Sequence, residues 1–140
     1  MAKLRHLAIA CKDPDAMAEF YIKAFDFKNV RTSDGPLAYG HHLSDGTIDL
    51  AILRFKTDQI GKGMDYTGPH HFGILVEDLD AAAKQVAALG GKHYMDQAEA
   101  ERVGGFETKM YGPEGVLFDI AEHGWAGAEP LPVPVKEAAE

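Results

Sequence analysis

His6-Leu-Ala-Ile-Ala-Cys-Lys-Asp13-Pro-Asp15-Ala16 and His71-Phe-Gly-Ile-Leu-Val-Glu-Asp78-Leu-Asp80-Ala81 are two versions of one pattern, with His, Ile, Asp, Asp and Ala repeated at a constant offset of 65 residues. A second echo, Ile48-Asp49-Leu50-Ala51 and Phe118-Asp119-Ile120-Ala121, follows at an offset of 70. Repetition on this scale marks a supersecondary unit used twice. Each copy carries one His and one Asp at matching places: His6 and Asp49, then His71 and Asp119. A pseudo-twofold between the copies would bring two imidazoles and two carboxylates together, a donor set that suits a divalent cation.

Reading outward from these stretches, residues 4–11 form a short apolar strand. Asp13-Pro14 opens a helix, since Asp is a good N-cap and Pro suits the first turn. Met17, Phe20, Tyr21, Ala24 and Phe25 fall at helical spacing and predict one apolar stripe. Strands are expected at 28–32, 37–43 and 47–55. Residues 58–69, with Gly61, Gly63, Gly68 and Pro69, read as a linker. The second copy repeats the order: a strand at 71–76, a helix capped by Asp78 and stopped at Gly90-Gly91, and strands at 92–95, 106–111 and 116–122. The polar segment 96–105 reads as a loop. The chain thus divides into a first βαβββ module (1–57), a linker (58–69), a second βαβββ module (70–124) and a Pro-rich tail (125–140) read as an extended arm. The class is α+β.

Alternation along the strands sorts their side chains. His6, Ala8 and Ala10 share one face, as do Asp49, Ala51 and Leu53, then His71, Gly73 and Leu75, then Asp119 and Ala121. The opposite faces carry Leu7, Ile9, Cys11, Ile48, Leu50, Ile52, Phe72, Ile74, Val76, Phe118 and Ile120, fit to pack beneath helices. The polar face sets each His or Asp beside small residues, leaving room for a cleft. Of His41 and His42, adjacent on a strand, only one can face that cleft. His70 is expected at the surface, and Tyr66, Arg102 and Trp125 at the cleft rim. Cys11 reads as a core strand residue.

A net charge of −8, from 14 basic and 22 acidic residues, argues against nucleic acid or an anionic membrane as partner. One cysteine excludes an internal disulfide and fits a reducing, cytoplasmic setting. No signal-peptide layout and no bilayer-length apolar run is present. With 46% hydrophobic residues the chain can bury a real core.

The opening His6-Leu-Ala-Ile with Phe20-Tyr21, the second opening His71-Phe-Gly-Ile with Asp78, and the closing Pro113-Glu-Gly-Val-Leu-Phe-Asp119-Ile together resemble the vicinal oxygen chelate superfamily, over residues 4 to about 125. That superfamily includes glyoxalase I, methylmalonyl-CoA epimerase, extradiol dioxygenases and the fosfomycin and bleomycin resistance proteins. The resemblance implies paired βαβββ modules forming an eight-stranded, half-open barrel around a metal, and a homodimer. In ligand layout the chain looks most like bacterial glyoxalase I, whose His, Glu, His, Glu set falls here on His6, Asp49, His71 and Asp119. The implied cofactor is a divalent ion: Zn, Ni, Co or Mn. The implied reaction is metal-assisted proton transfer on a small α-hydroxycarbonyl, of lyase, isomerase or epimerase type, with Asp119 or Asp49 as the base.

Both carboxylates are one methylene shorter than the Glu they replace. The backbone must therefore shift inward, a water must intervene, or the metal is weakly held or absent. A metal-free module that binds a small molecule or antibiotic is the alternative reading, and a dimerisation scaffold a further one. The dioxygenase reading is disfavoured, because Asp49 stands where that set would place its second His.

Overall fold

The computed structural model describes residues 1–132 of the chain. Strand β1 (Lys3–Ala10), helix α1 (Pro14–Phe25) and strands β2 (Lys28–Asp34), β3 (Ala38–Ser44) and β4 (Asp49–Phe55) form the first unit. Strand β5 (Gly68–Leu75), helix α2 (Leu79–Ala88), strand β6 (Lys92–Met95), helix α3 (Gln97–Arg102), and strands β7 (Thr108–Tyr111) and β8 (Leu117–Ala121) form the second. All eight strands belong to one mixed sheet in the order β2-β3-β4-β1-β5-β8-β7-β6. The sheet does not close, so β2 and β6 are its free edges.

The order is a palindrome of the two units about β1 and β5, which pair antiparallel. Each first strand pairs parallel with the last strand of its own unit, β1 with β4 and β5 with β8. Both principal helices begin as the sequence indicates: Asp13 and Asp78 each accept a hydrogen bond from a backbone N–H of the first turn, and Pro14 occupies the position where its missing N–H costs nothing.

Helices and cleft occupy opposite sides of the sheet. Cys11, Leu43 and Ile52 pack with Ala18 of α1, and Val76, Met110 and Ile120 pack with Leu79 of α2. On the other side Ala8, Ala51 and Leu53 cluster in the first unit, and Leu75, Ala121 and Trp125 in the second. This is the division that strand alternation predicts.

The stripe of α1 is narrower than expected. Met17, Ala18, Tyr21 and Ile22 meet the sheet, whereas Phe20 and Phe25 are exposed at 61% and 62%. A helix packed on a sheet buries an arc set by i, i+1, i+4 and i+5, and Phe20 falls outside it. The expected loop 96–105 contains α3. Its start is a capping box, with Asp96 accepting from the Glu99 N–H and Glu99 from the Asp96 N–H, and this outweighs the glycines that follow. The second unit is therefore βαβαββ, and β5 begins at Gly68, inside the expected linker.

The tail also departs from expectation. Trp125 is buried, Ser44 Oγ donates to the Gly127 carbonyl, the Glu129 N–H donates to Thr47, and Arg5 Nε donates to the Glu129 carbonyl. These contacts tie residues 125–129 back onto the first unit. The remainder of the expected arm, residues 133–140, lies outside the described residues.

Gly40 shows how closely β3 and β4 approach. A Cβ there would stand 2.0 Å from the backbone oxygen of Ile52. Backbone cannot yield without breaking the ladder that carries Asp49, so Gly40→Ala is expected to destabilise the fold by roughly 2–4 kcal/mol, read as a fall in urea midpoint at unchanged slope.

Candidate metal centre

Strand register carries the site. His6 pairs with Asp49 on one side and with Gly73 on the other, and Gly73 pairs with Asp119. Asp49, His6, Gly73 and Asp119 thus form one row across β4, β1, β5 and β8, all projecting to the cleft side. Gly73 keeps the row open, because a Cβ there would lie 2.8 Å from His6 Cβ and from the Trp125 ring. His71 sits two residues away on the same face of β5. All four predicted residues are brought together, and each is buried.

They do not converge as one ring of four. His6 Nε2 and His71 Nε2 are 3.1 Å apart, and Asp119 Oδ2 lies 3.1 Å from His71 Nε2 and 3.7 Å from His6 Nε2. Asp49 stands behind His6, on the other ring nitrogen, with Nδ1 2.5 Å from its Oδ2. His42 Nδ1 reaches the same carboxylate at 3.1 Å and 3.2 Å. A carboxylate only accepts, so Asp49 draws an N–H from both rings and leaves both Nε2 atoms carrying lone pairs when the rings are neutral.

The electrostatics follow from burial. Burial pushes the Asp49 carboxyl up, but the hydrogen bonds from His42 and His6 outweigh it and hold it below the usual range. Burial likewise opposes ionisation of Asp119, yet His71 and then the Lys109 ammonium keep it strongly below. Lys109 Nζ donates to Asp119 Oδ1 at 2.9 Å, while Asp119 Oδ2 has no hydrogen-bond partner. Lys109 is itself buried; that environment would lower it, but Asp119 and then Glu107 keep it raised and charged. Burial lowers His71.

Two imidazole nitrogens and one carboxylate oxygen, His6 Nε2, His71 Nε2 and Asp119 Oδ2, therefore face one point, and a cation there would displace any proton shared between His71 and Asp119. Ions held at ~2.0–2.1 Å place neighbouring donors about 3.0–3.4 Å apart; the two 3.1 Å separations match a small divalent cation, and the 3.7 Å separation of His6 Nε2 from Asp119 Oδ2 is wider. Three protein ligands with open positions is the pattern of catalytic rather than structural sites. Asp49 holds His6 as second-layer carboxylates commonly hold ligating imidazoles. The group lies in the wall of a cavity of about 460 Å³ that also takes in His42, Gln59, Phe106, Glu107 and Lys109.

Two expectations are corrected. His70 is buried, not superficial. One step on β1, from Ala8 to Ile9, is matched by two on β5, from His71 to Pro69, so His70 is the extra residue of a bulge and turns inward. Its Nδ1 lies 2.6 Å from His71 Nδ1, and its ring stacks on Phe55 at 3.8 Å. Trp125 is not at the rim. It stacks on His6 at 5.0 Å with the planes 2° apart, and its Nε1–H donates to Glu107. Tyr66 donates to the Pro69 carbonyl at the start of β5, and Arg102 is exposed at the end of α3.

His42 is the member of its pair that faces the cavity, while His41 turns outward to Asp15 and Thr32. Lys109 and Gln59 escaped the sequence reading. Lys109 had a signal: the turn at 112–115 sets it directly opposite Asp119. Gln59 had none.

Burial, then His71 and Lys109, lower His70 from 6.5 to about 3. The unfolded chain protonates this imidazole near 6.5 while the folded one does not. The unfolded state therefore binds more protons on acidification, and the contribution to stability is complete above pH ~6.5 and lost progressively toward pH ~3. Urea midpoints of the metal-free protein should fall steadily from pH 7 to pH 5, and His70→Phe should flatten that slope by close to one proton. A level profile in the unaltered protein would contradict the burial of His70.

The model of the Glyoxalase/Bleomycin resistance protein/Dioxygenase superfamily matches residues 3–120. Among curated proteins, the chain is 26% identical over 141 residues to a probable chloroplastic lactoylglutathione lyase of Arabidopsis thaliana, covering 95% of this chain and 38% of that protein. It is 31% identical over 107 residues to a probable glycine dehydrogenase (decarboxylating) subunit 2 of Exiguobacterium sibiricum, covering 68% of this chain and 21% of that one. The chain thus spans well under half the length of these relatives. Among solved structures, a Streptomyces coelicolor methylmalonyl-CoA epimerase superposes with a TM-score of 0.67 at 22% identity, over 84% of this chain and 94% of that one, and shares the fold. The palindromic eight-stranded sheet, the duplicated His and Asp positions and the family match over 3–120 agree: this chain belongs to the Glyoxalase/Bleomycin resistance protein/Dioxygenase superfamily.

Proposed function

We propose that this protein is a divalent-metal-dependent enzyme that moves a proton beside a carbonyl of a small α-hydroxycarbonyl substrate, in the lyase, isomerase or epimerase manner. The observation that carries this reading is the convergence of His6 Nε2, His71 Nε2 and Asp119 Oδ2 in a cavity wall, with no hydrogen-bond partner for the carboxylate oxygen. His6, His71 and Asp119 would hold the cation, with Asp49 as the residue that orients His6 rather than a fourth ligand. The bound cation supplies Lewis-acid polarisation of the substrate carbonyl.

The chain's own residues supply the rest. Asp49 is fully buried and committed to two rings, and Asp119 is held by Lys109 and offers its remaining oxygen to the cation. Neither expected base is then free to meet a substrate carbon. His42 is better placed. Its Nδ1–H is taken by Asp49, its ring lines the cavity, and its Nε2 is free to accept a substrate proton and return it to the neighbouring carbon. Asp49 steadies the imidazolium in between. Trp125 covers one face of His6 and keeps water from it.

A second reading rests on one observation. With Asp49 behind His6, the converging set is two His and one carboxylate, the arrangement used by non-haem iron(II) oxygenases. Metal identity separates the two: iron(II) with substrate-dependent oxygen consumption favours oxygen chemistry, whereas zinc, nickel, cobalt or manganese favours proton transfer. Pairing of two copies is part of the proposal, supported by the apolar strip Leu4, Leu7, Ile48 and Phe72 on the helix side of the central strands. Among the described residues, no helix is long and apolar enough to cross a membrane.

Elemental analysis of tag-free protein should find close to one divalent ion per chain, lost in His6→Ala and in Asp119→Ala. Asp49→Asn should keep the ion with about 10–100-fold weaker affinity. His42→Gln should keep the ion fully but lower C–H exchange of α-hydroxycarbonyls in D₂O, followed by NMR, by roughly 10²–10⁴-fold. Undiminished exchange in His42→Gln would remove it as base, and ligand binding indifferent to EDTA would favour a metal-free binding module.

A further inference from the structure

Gln59 is a buried amide that no described residue satisfies. The residue is 5% exposed, and neither its Nε2 nor its Oε1 has a hydrogen-bond partner among the described residues. Asp119 Oδ2, in the same cavity, is the other buried side-chain atom in that condition among the described residues. The Gln59 backbone is held in place: Tyr111 OH donates to its carbonyl at 3.0 Å, and Asp58 accepts from the N–H groups of Lys62 and Gly63 to close the turn that follows. A buried polar group without partners is destabilising, and a leucine there would cost the fold less. The arrangement makes sense if a ligand completes it.

We propose that Gln59 is the substrate-reading residue of the cavity and that it hydrogen-bonds a carboxamide on the substrate, which deepens the reading of the metal centre given above and rests on it. The side chain presents a donor and an acceptor in one plane. A carboxylate would engage the donor and set Oε1 against an anion. An amine would leave Nε2 unmet. A carboxamide answers both atoms in a reciprocal pair. The charges nearby point the same way: the Lys109 ammonium is committed to Asp119, and Glu107 is a second carboxylate on the wall, so a neutral polar group is better tolerated there than another anion.

The test uses zinc-loaded protein and hydroxamic acids, which present two vicinal oxygens to a metal. Acetohydroxamic acid serves as the tail-less probe, alongside two hydroxamic acids of equal chain length that end in a primary carboxamide or in an isosteric methyl ketone. By calorimetry the unaltered protein should bind the carboxamide roughly tenfold more tightly than the ketone. Gln59→Leu should lose that preference and bind acetohydroxamic acid as before. Equal affinities in the unaltered protein, or a preference that survives in Gln59→Leu, would overturn the assignment. Failure of every hydroxamate to bind would count against the metal centre itself. In that event metal-free thermal unfolding decides for Gln59: a residue kept for a ligand predicts that Gln59→Leu raises Tm by about 2–6 °C, whereas a fall in Tm makes it a structural residue.

Discussion

Two carboxylates lie wholly buried in the middle of this sheet, and the cleft is organised around keeping them there as anions. A buried charge is tolerated only when paired and hydrogen-bonded. The two pseudo-equivalent positions meet that demand differently. Asp49 is satisfied by imidazole N–H groups from His6 and His42, one on its own row and one from the neighbouring strand. Asp119 is satisfied on one oxygen by the Lys109 ammonium and faces His71 with the other. The partner comes from the adjacent strand in each unit, β3 in the first and β7 in the second. Duplication supplies the symmetry, and these neighbours break it.

That broken symmetry sets the geometry of the site. Because Asp49 is saturated by N–H donors, it holds rings in place; because Lys109 occupies one oxygen of Asp119, that carboxylate is fixed with a single oxygen turned to the imidazoles. Asp119 lies in register beside Gly73, where the absent Cβ lets the His6 and Trp125 side chains come close, and Lys109 fixes its direction. Asp49 gives up the converging point and takes the back of His6. The cavity is polar where His42, Lys109 and Gln59 reach it and apolar where Leu53, Phe55, Phe106 and Trp125 line it.

The outer histidines His41, His42 and His70 show where regular alternation places a side chain and where backbone irregularity redirects one. His41 and His42 obey simple alternation on β3, and register alone selects His42 for the cavity. His70 violates alternation because β5 bulges at that residue, so two consecutive histidines turn to the same side and their Nδ1 atoms meet. No periodicity argument finds such a residue, since a bulge is recorded only in the pairing of two strands. Trp125 is similar: a Pro-rich tail gives no hint that its first aromatic ring lies flat on His6, because what holds it there is a set of hydrogen bonds from Arg5, Ser44 and Glu129, remote in sequence from that ring or from each other.

The repeat, the two capped helices, the alternation that separates a helix side from a cleft side, and the bringing together of His6, Asp49, His71 and Asp119 were all legible in the amino-acid order, because each depends on local periodicity or on a duplicated pattern. The geometry within that group was not. Which nitrogen of His6 meets Asp49, which oxygen of Asp119 Lys109 takes, and that Gln59 is buried without a partner were decided by tertiary structure. Hydrogen-bond direction, burial and strand register are properties of pairs of distant residues, and a single chain read in order carries no record of them.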